Sequence, residues 1–110
     1  MHSLVAAKRR ELVELCRRFG VERLDLFGSA ARGDFRSASS DLDFLVRFID
    51  PAPTGEYAER YLALAEAMER LLGRPVDLIT EQSVRNPYFA RAVEASRQPV
   101  YERQDPEASS

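Results

Sequence analysis

Two short segments of this chain hold residue types that do chemistry together. Gly28-Ser29 closes one apolar run, and Asp41-Leu42-Asp43 opens the next. In an extended strand, residues two apart point to the same side, about 6.5 Å along the chain, so Asp41 and Asp43 offer both carboxylates to one small volume. Two carboxylates ~4 Å apart repel by about 4 kcal/mol at an effective dielectric of about 20, a sizeable share of a small domain's stability. A divalent ion offsets that repulsion, and Mg2+ suits one or two carboxylates completed by water and a substrate's phosphates. Gly28 lets the backbone approach a ligand closely, N–H groups at the start of the following turn cradle phosphate oxygens, and Ser29 adds a hydroxyl donor. Arg32 and Arg36, between these halves, are in reach of a phosphate tail or belong to a solvated surface.

Asp77 lies in Val76-Asp77-Leu78-Ile79, whose apolar residues predict burial in a sheet. A buried unpaired aspartate is costly, and a neighbouring metal site explains one. If that strand lies beside the Asp41 strand, Asp77 becomes a third carboxylate, placed to bind a second ion or to accept a proton from an attacking hydroxyl. Singly, a D-x-D strand start is usually a solvated edge and a Gly-Ser pair usually a turn. Joined in strand-turn-strand order with a third strand aspartate, they are far more specific.

The elements that must position these residues follow from periodicity. Residues 3–19 place Val5, Leu12, Leu15, Cys16 and Phe19 on one helical stripe, stopped by Gly20. Val21 to Phe27 reads as a strand with Leu24 and Leu26 on its core face, and Asp25 within it as surface or a local ion pair. Residues 28–40 show neither period and read as a turn, a short helical turn and a loop, with Asp34 a loop residue. Asp41 to Phe48 alternates Leu42, Phe44, Val46 and Phe48 against Asp41, Asp43, Leu45 and Arg47. Asp50-Pro-Ala-Pro-Thr-Gly breaks the chain before a helix carrying Tyr57, Tyr61, Leu64, Ala65, Met68 and Leu72, ended by Gly73. The Val76–Ile79 strand follows, and Asn86-Pro87 caps a helix with Tyr88, Phe89, Ala92 and Val93. Pro99-Val100-Tyr101 supplies a last edge strand. This order predicts an α/β (α+β) domain over residues 1–102, a small mixed β-sheet backed by helices on one side, and a polar, disordered tail over 103–110.

Composition excludes several function classes. The chain has 110 residues, enough for one core, with 16 Lys plus Arg against 18 Asp plus Glu. A net charge of −2 is too balanced for a protein that coats nucleic acid, so stable nucleic-acid binding is not expected. One cysteine, Cys16, rules out an internal disulfide and a cysteine zinc cluster and fits a reducing, cytoplasmic setting with an inert buried thiol. One histidine, His2, at a terminus expected to fray, argues against a Ser-His-Asp triad or a histidine metal site. No run approaches the ~20 apolar residues of a membrane span, and no signal peptide opens the sequence.

The run Leu-Phe-Gly-Ser-Ala-Ala-Arg-Gly-Asp-Phe-Arg-Ser-Ala-Ser-Ser-Asp-Leu-Asp-Phe-Leu-Val, residues 26–46, closely resembles the signature of the minimal nucleotidyltransferases, in the superfamily of DNA polymerase beta. Eleven residues separate Ser29 from Asp41, one more than in the commonest form of that signature. The resemblance implies a nucleotidyltransferase fold, dependence on two Mg2+ ions, and transfer of a nucleoside monophosphate from a triphosphate, ATP, to a hydroxyl. Carried over, Gly28 and Ser29 hold the triphosphate with Arg32 beside them, Asp41 and Asp43 bind both metals, and Asp77 completes the site and helps deprotonate the acceptor. Larger relatives carry an acceptor-binding helical domain for which this chain has no room. Family members of this size act on a HEPN-type toxin, adenylylating a tyrosine as its antitoxin, which leaves either a homo-oligomer or a hetero-oligomer with the toxin open. Two rival readings stand beside it. One is a stoichiometric antitoxin that masks its partner through Tyr57 and Tyr61 or Tyr88 and Phe89, although helical aromatic stripes usually face a core. The other is transfer to a small molecule or an RNA end.

Overall fold

The computed structural model describes residues 2–28, 31 and 41–103. Ser29, Arg32, Asp34, Arg36 and the tail over 104–110 lie outside the described residues. In chain order the elements are α1 (Ser3–Ala7), α2 (Arg9–Arg18), β1 (Val21–Phe27), β2 (Leu42–Phe48), α3 (Gly55–Leu72), β3 (Val76–Thr80), a 3-10 turn (Glu81–Ser83), α4 (Pro87–Ser96) and β4 (Gln98–Glu102). The helix expected over 3–19 is broken at Lys8, whose φ of −104° and ψ of 12° leave the helical region. His2 is a cap rather than a frayed end: its Nδ1 accepts from the Leu4 N–H at 3.1 Å. Burial, then Arg74 and the chain's amino terminus, lower its pKa.

The strands form one mixed sheet in the order β3-β2-β1-β4. β1 runs antiparallel to β2 and to β4, and β2 runs parallel to β3. A parallel pair needs a long crossover, which α3 supplies. Thr54 caps α3 by accepting from the Tyr57 N–H at 3.2 Å, and Gly73 ends it in the left-handed conformation at φ +69°.

The alternation of β2 sends Leu42, Phe44, Val46 and Phe48 into the main core, where Leu24 and Leu26 of β1 meet Val5, Leu12 and Cys16 from α1 and α2 and Leu64, Met68 and Leu72 from α3. Each such side chain contributes about 1.5–3 kcal/mol when fully buried. Tyr57 and Tyr61, half-buried, pack against this core. The opposite face is not bare. Phe27, Leu45 and Val93 are buried together there with Ile79 and Val84 beside them, and Phe89 of α4 meets Phe27 edge-on at 5.9 Å. Helices therefore lie on both faces, and Leu45, expected on the polar side, is 3% exposed because α4 covers it.

Candidate active site

Phe27, the last residue of β1, pairs with Asp43 of β2, and Asp43 in turn pairs with Asp77 of β3. Register partners in a parallel pair project to the same face from strands about 4.8 Å apart, so Asp43 and Asp77 are lateral neighbours. Phe27, Asp43 and Asp77 thus line up across three strands at one end of the sheet, with Gly28 the next residue after Phe27. Asp41 falls just before β2 rather than in it, and is exposed. Asp77 is exposed as well, against the burial expected from its apolar flanks. The reason is topological. β3 is the outermost strand, Leu78 turns to the core, and Asp77 turns to the other face. Among the described residues no group of three His, Cys, Asp or Glu is gathered as a ready-made metal site; the sheet register brings Asp43 and Asp77 side by side, and Asp41 lies two residues before Asp43 at the mouth of β2.

Gly28 explains itself through two contacts. Its φ is +73°, which favours glycine, and a Cβ at this position would lie 2.7 Å from Asp43 Oδ2. No other residue leaves the Asp43 carboxylate where it is. Its N–H donates to Ser96 Oγ at 3.0 Å, so this amide faces α4 rather than a ligand. What Gly28 offers the site is a backbone that passes Asp43 closely without displacing its carboxylate. The Asp43 and Asp77 carboxylates offer only oxygen donors, a set that suits Mg2+ better than any softer metal.

Beyond Asp77, a groove of about 560 Å3 runs between α3 and the outer edge of β3, lined by Tyr57, Tyr61, Leu62, Asp77, Ile79 and Thr80 among others. The Tyr61 hydroxyl donates to the Leu78 carbonyl. Burial, then the charge on Asp77 and Tyr57, push its pKa up, so it stays protonated.

The same face carries a chain of charges that the sequence did not disclose. Asp25 is fully buried, and Arg97 Nε donates to its Oδ2 at 2.9 Å, with Arg23 Nε 3.0 Å from the same oxygen. It is an ion pair, as one of the two expected readings held, but not at the surface. Arg97 also pairs with Glu94 and, at 3.6 Å, with Glu81, which Arg47 holds at 2.9 Å. Burial alone would lower the Arg97 pKa; the hydrogen bonds it donates to Asp25 and Glu94 outweigh that and raise it. The only sequence signal for this network was an acidic residue amid apolar neighbours, with its partner 72 residues away.

The nucleotidyltransferase domain family matches residues 9–100. A Methanocaldococcus jannaschii protein provisionally named a protein adenylyltransferase is 42% identical over 77 residues, covering 70% of this chain and 74% of its own. The protein adenylyltransferase MntA of Thermococcus cleftensis is 36% identical over 86 residues, covering 78% of this chain and 79% of its own. A solved structure provisionally named a minimal nucleotidyltransferase superposes with TM-score 0.66 at 36% identity, covering 90% of this chain and 96% of its own. A Shewanella oneidensis complex of tri-AMPylated HEPN toxin with MNT antitoxin shares the fold at TM-score 0.63 and 18% identity, covering 96% of this chain and 78% of its own. With the signature segment, the mixed sheet and these similarities in agreement, the chain belongs to the nucleotidyltransferase domain family and is an enzyme of nucleotidyl transfer.

Proposed function

We propose that this protein transfers AMP from ATP to a hydroxyl of a HEPN-type toxin, a tyrosine by preference, and neutralises the toxin by doing so. One observation carries the reading: Asp43 and Asp77 stand side by side in register, with the Gly28 backbone passing so close to the Asp43 carboxylate that only glycine fits. Similarity to chains named protein adenylyltransferases supports AMP as the transferred group, and the fold shared with an antitoxin bound to an AMPylated HEPN toxin supports the acceptor class.

In this reading the acceptor oxygen attacks the α-phosphorus, an oxygen–phosphorus bond forms, the bond to the β-phosphate bridging oxygen breaks, and pyrophosphate leaves. Asp77, exposed beside the edge groove, takes the hydroxyl proton. Asp41, Asp43 and Asp77 would hold Mg2+, which when bound supplies neutralisation of charge on the attacking and leaving oxygens. Gly28 holds the turn open, and Ser29 and Arg32 are assigned to the triphosphate by the signature they share with the family. Positioning and charge stabilisation supply most of the rate. The groove beyond Asp77 lies on the side away from Gly28, which separates an acceptor entrance from the triphosphate end.

The test uses ATP labelled at either the α- or the γ-phosphate, offered with Mg2+ and a HEPN-type toxin. Label from the α-position alone should reach the toxin. Label from the γ-position on the toxin would make the enzyme a kinase and refute the reading. The stoichiometric alternative draws on one feature, Tyr88, which is 77% exposed on α4. It predicts that protection needs equimolar protein and survives Asp43→Asn.

A further inference from the structure

Ser96, the last residue of α4, and Arg97 just beyond it hold the chain at the end of β1. Arg97 is paired with buried Asp25 of β1, and Ser96 Oγ accepts from the N–H of Gly28, three residues further along the chain and just past the end of that strand. Ser96 is 8% exposed, and its hydroxyl also donates to the Ala92 carbonyl at 3.1 Å, so a lone pair and the proton are both engaged. The Gly28 peptide is thereby fixed at the point where its Cα passes the Asp43 carboxylate with no space for a side-chain atom.

We propose that Ser96 is a positioning residue for nucleotide binding: its hydroxyl sets the orientation of the Gly28 peptide, and through it the approach of the Gly28 backbone to Asp43. The role rests on the nucleotide reading given above. Ser96 touches neither substrate nor metal. It acts through Gly28, and the Arg97–Asp25 pair next to it gives the hydroxyl a rigid base. Without the hydroxyl, the Gly28 N–H is left with no partner in a half-buried place, and the peptide rotates to find water. A turn free to rotate samples orientations that bind ATP poorly, while the carboxylates and their chemistry are untouched. The signature of such a role is a higher KM for ATP with little change in kcat.

The experiment compares wild type, Ser96→Ala and Ser96→Thr as full chains. Alanine favours the helix, so the fold should survive, and threonine restores the hydroxyl. Amide hydrogen exchange at Gly28 without nucleotide reads the hydrogen bond itself; KM and kcat for ATP with Mg2+ and the toxin read its consequence. Expected for Ser96→Ala are Gly28 exchange at least tenfold faster, KM for ATP raised about tenfold and kcat within twofold, with Ser96→Thr near wild type in all three. Faster exchange with an unchanged KM would overturn the proposal and leave the nucleotide reading intact. Equal loss of kcat in both variants would overturn it too, since that pattern marks general packing damage. A wild-type chain that transfers no AMP would overturn the nucleotide reading and this proposal together, while Gly28 exchange would still report whether the hydrogen bond exists.

Discussion

Asp43 and Asp77 face each other across a parallel ladder, where like charges oppose folding by about 0.2–1 kcal/mol. In the presence of a chelator, Asp77→Asn should therefore melt about 1–4 °C above wild type while losing AMP transfer; a variant that melts lower would mean that Asp77 is held by favourable contacts and not by its function. Gly28→Ala places a methyl 2.7 Å from Asp43 Oδ2 on a backbone that disfavours side chains. It should cost about 1–3 kcal/mol in urea unfolding and abolish transfer, because the methyl displaces the Asp43 carboxylate. Cys16 makes a simpler point. Burial pushes its thiol up to about 12, so it should resist iodoacetamide in the folded protein and react only on unfolding. Of these residues, the placement of Gly28 just after β1 and of Asp43 in β2 was legible from residue type and spacing. The exposure of Asp77 was not, since two apolar neighbours look alike in an interior strand and in an edge strand.

Among the elements, α4 is the one whose sequence was most misleading about its place. Asn86-Pro87 announced its start, and Asn86 Oδ1 does accept from the Tyr88 N–H at 2.8 Å. Its side of the sheet was hidden, because Val93 and Phe89 suit either face and the deciding contact, Arg97 with Asp25, joins residues far apart in sequence. Arg97→Met should destabilise by about 3–5 kcal/mol, as it strips the main partner from a fully buried carboxylate. The double variant Asp25→Val, Arg97→Met should recover most of that loss in a denaturation series. The Glu81 end of this network predicts a pH dependence. The hydrogen bond from Arg47 lowers the Glu81 pKa against the opposing effect of burial, helped by the charges of Arg47, Arg97 and Arg23. A carboxyl whose folded pKa lies below its unfolded value of 4.5 adds stability that is complete above that value and is lost as pH falls through the folded one. Wild type should lose urea resistance below pH ~4.5, and Glu81→Gln should flatten that acid limb.

At the scale of the whole molecule, the sheet does the organising. Helix and strand types were readable from period, as the core faces of β1, β2 and α3 show, whereas strand order depends on pairings that no local pattern encodes. That order, β3-β2-β1-β4, is what sets Phe27, Asp43 and Asp77 in a row and leaves a groove at the outer edge. Among the described residues no helix is long and apolar enough to cross a membrane, and a charge of −2 leaves little electrostatic drive toward a polyanion. Recognition of the acceptor should accordingly rest on shape and apolar contact and be weakly sensitive to salt. Catalytic AMP transfer at the Asp43–Asp77 row is tested most directly by intact mass spectrometry of a HEPN-type toxin after incubation with ATP, Mg2+ and a small fraction of an equivalent of this protein. Full conversion to AMP-bearing toxin with wild type, and none with Asp43→Asn, is the predicted result; unmodified toxin with wild type, or equal conversion with the variant, would contradict it.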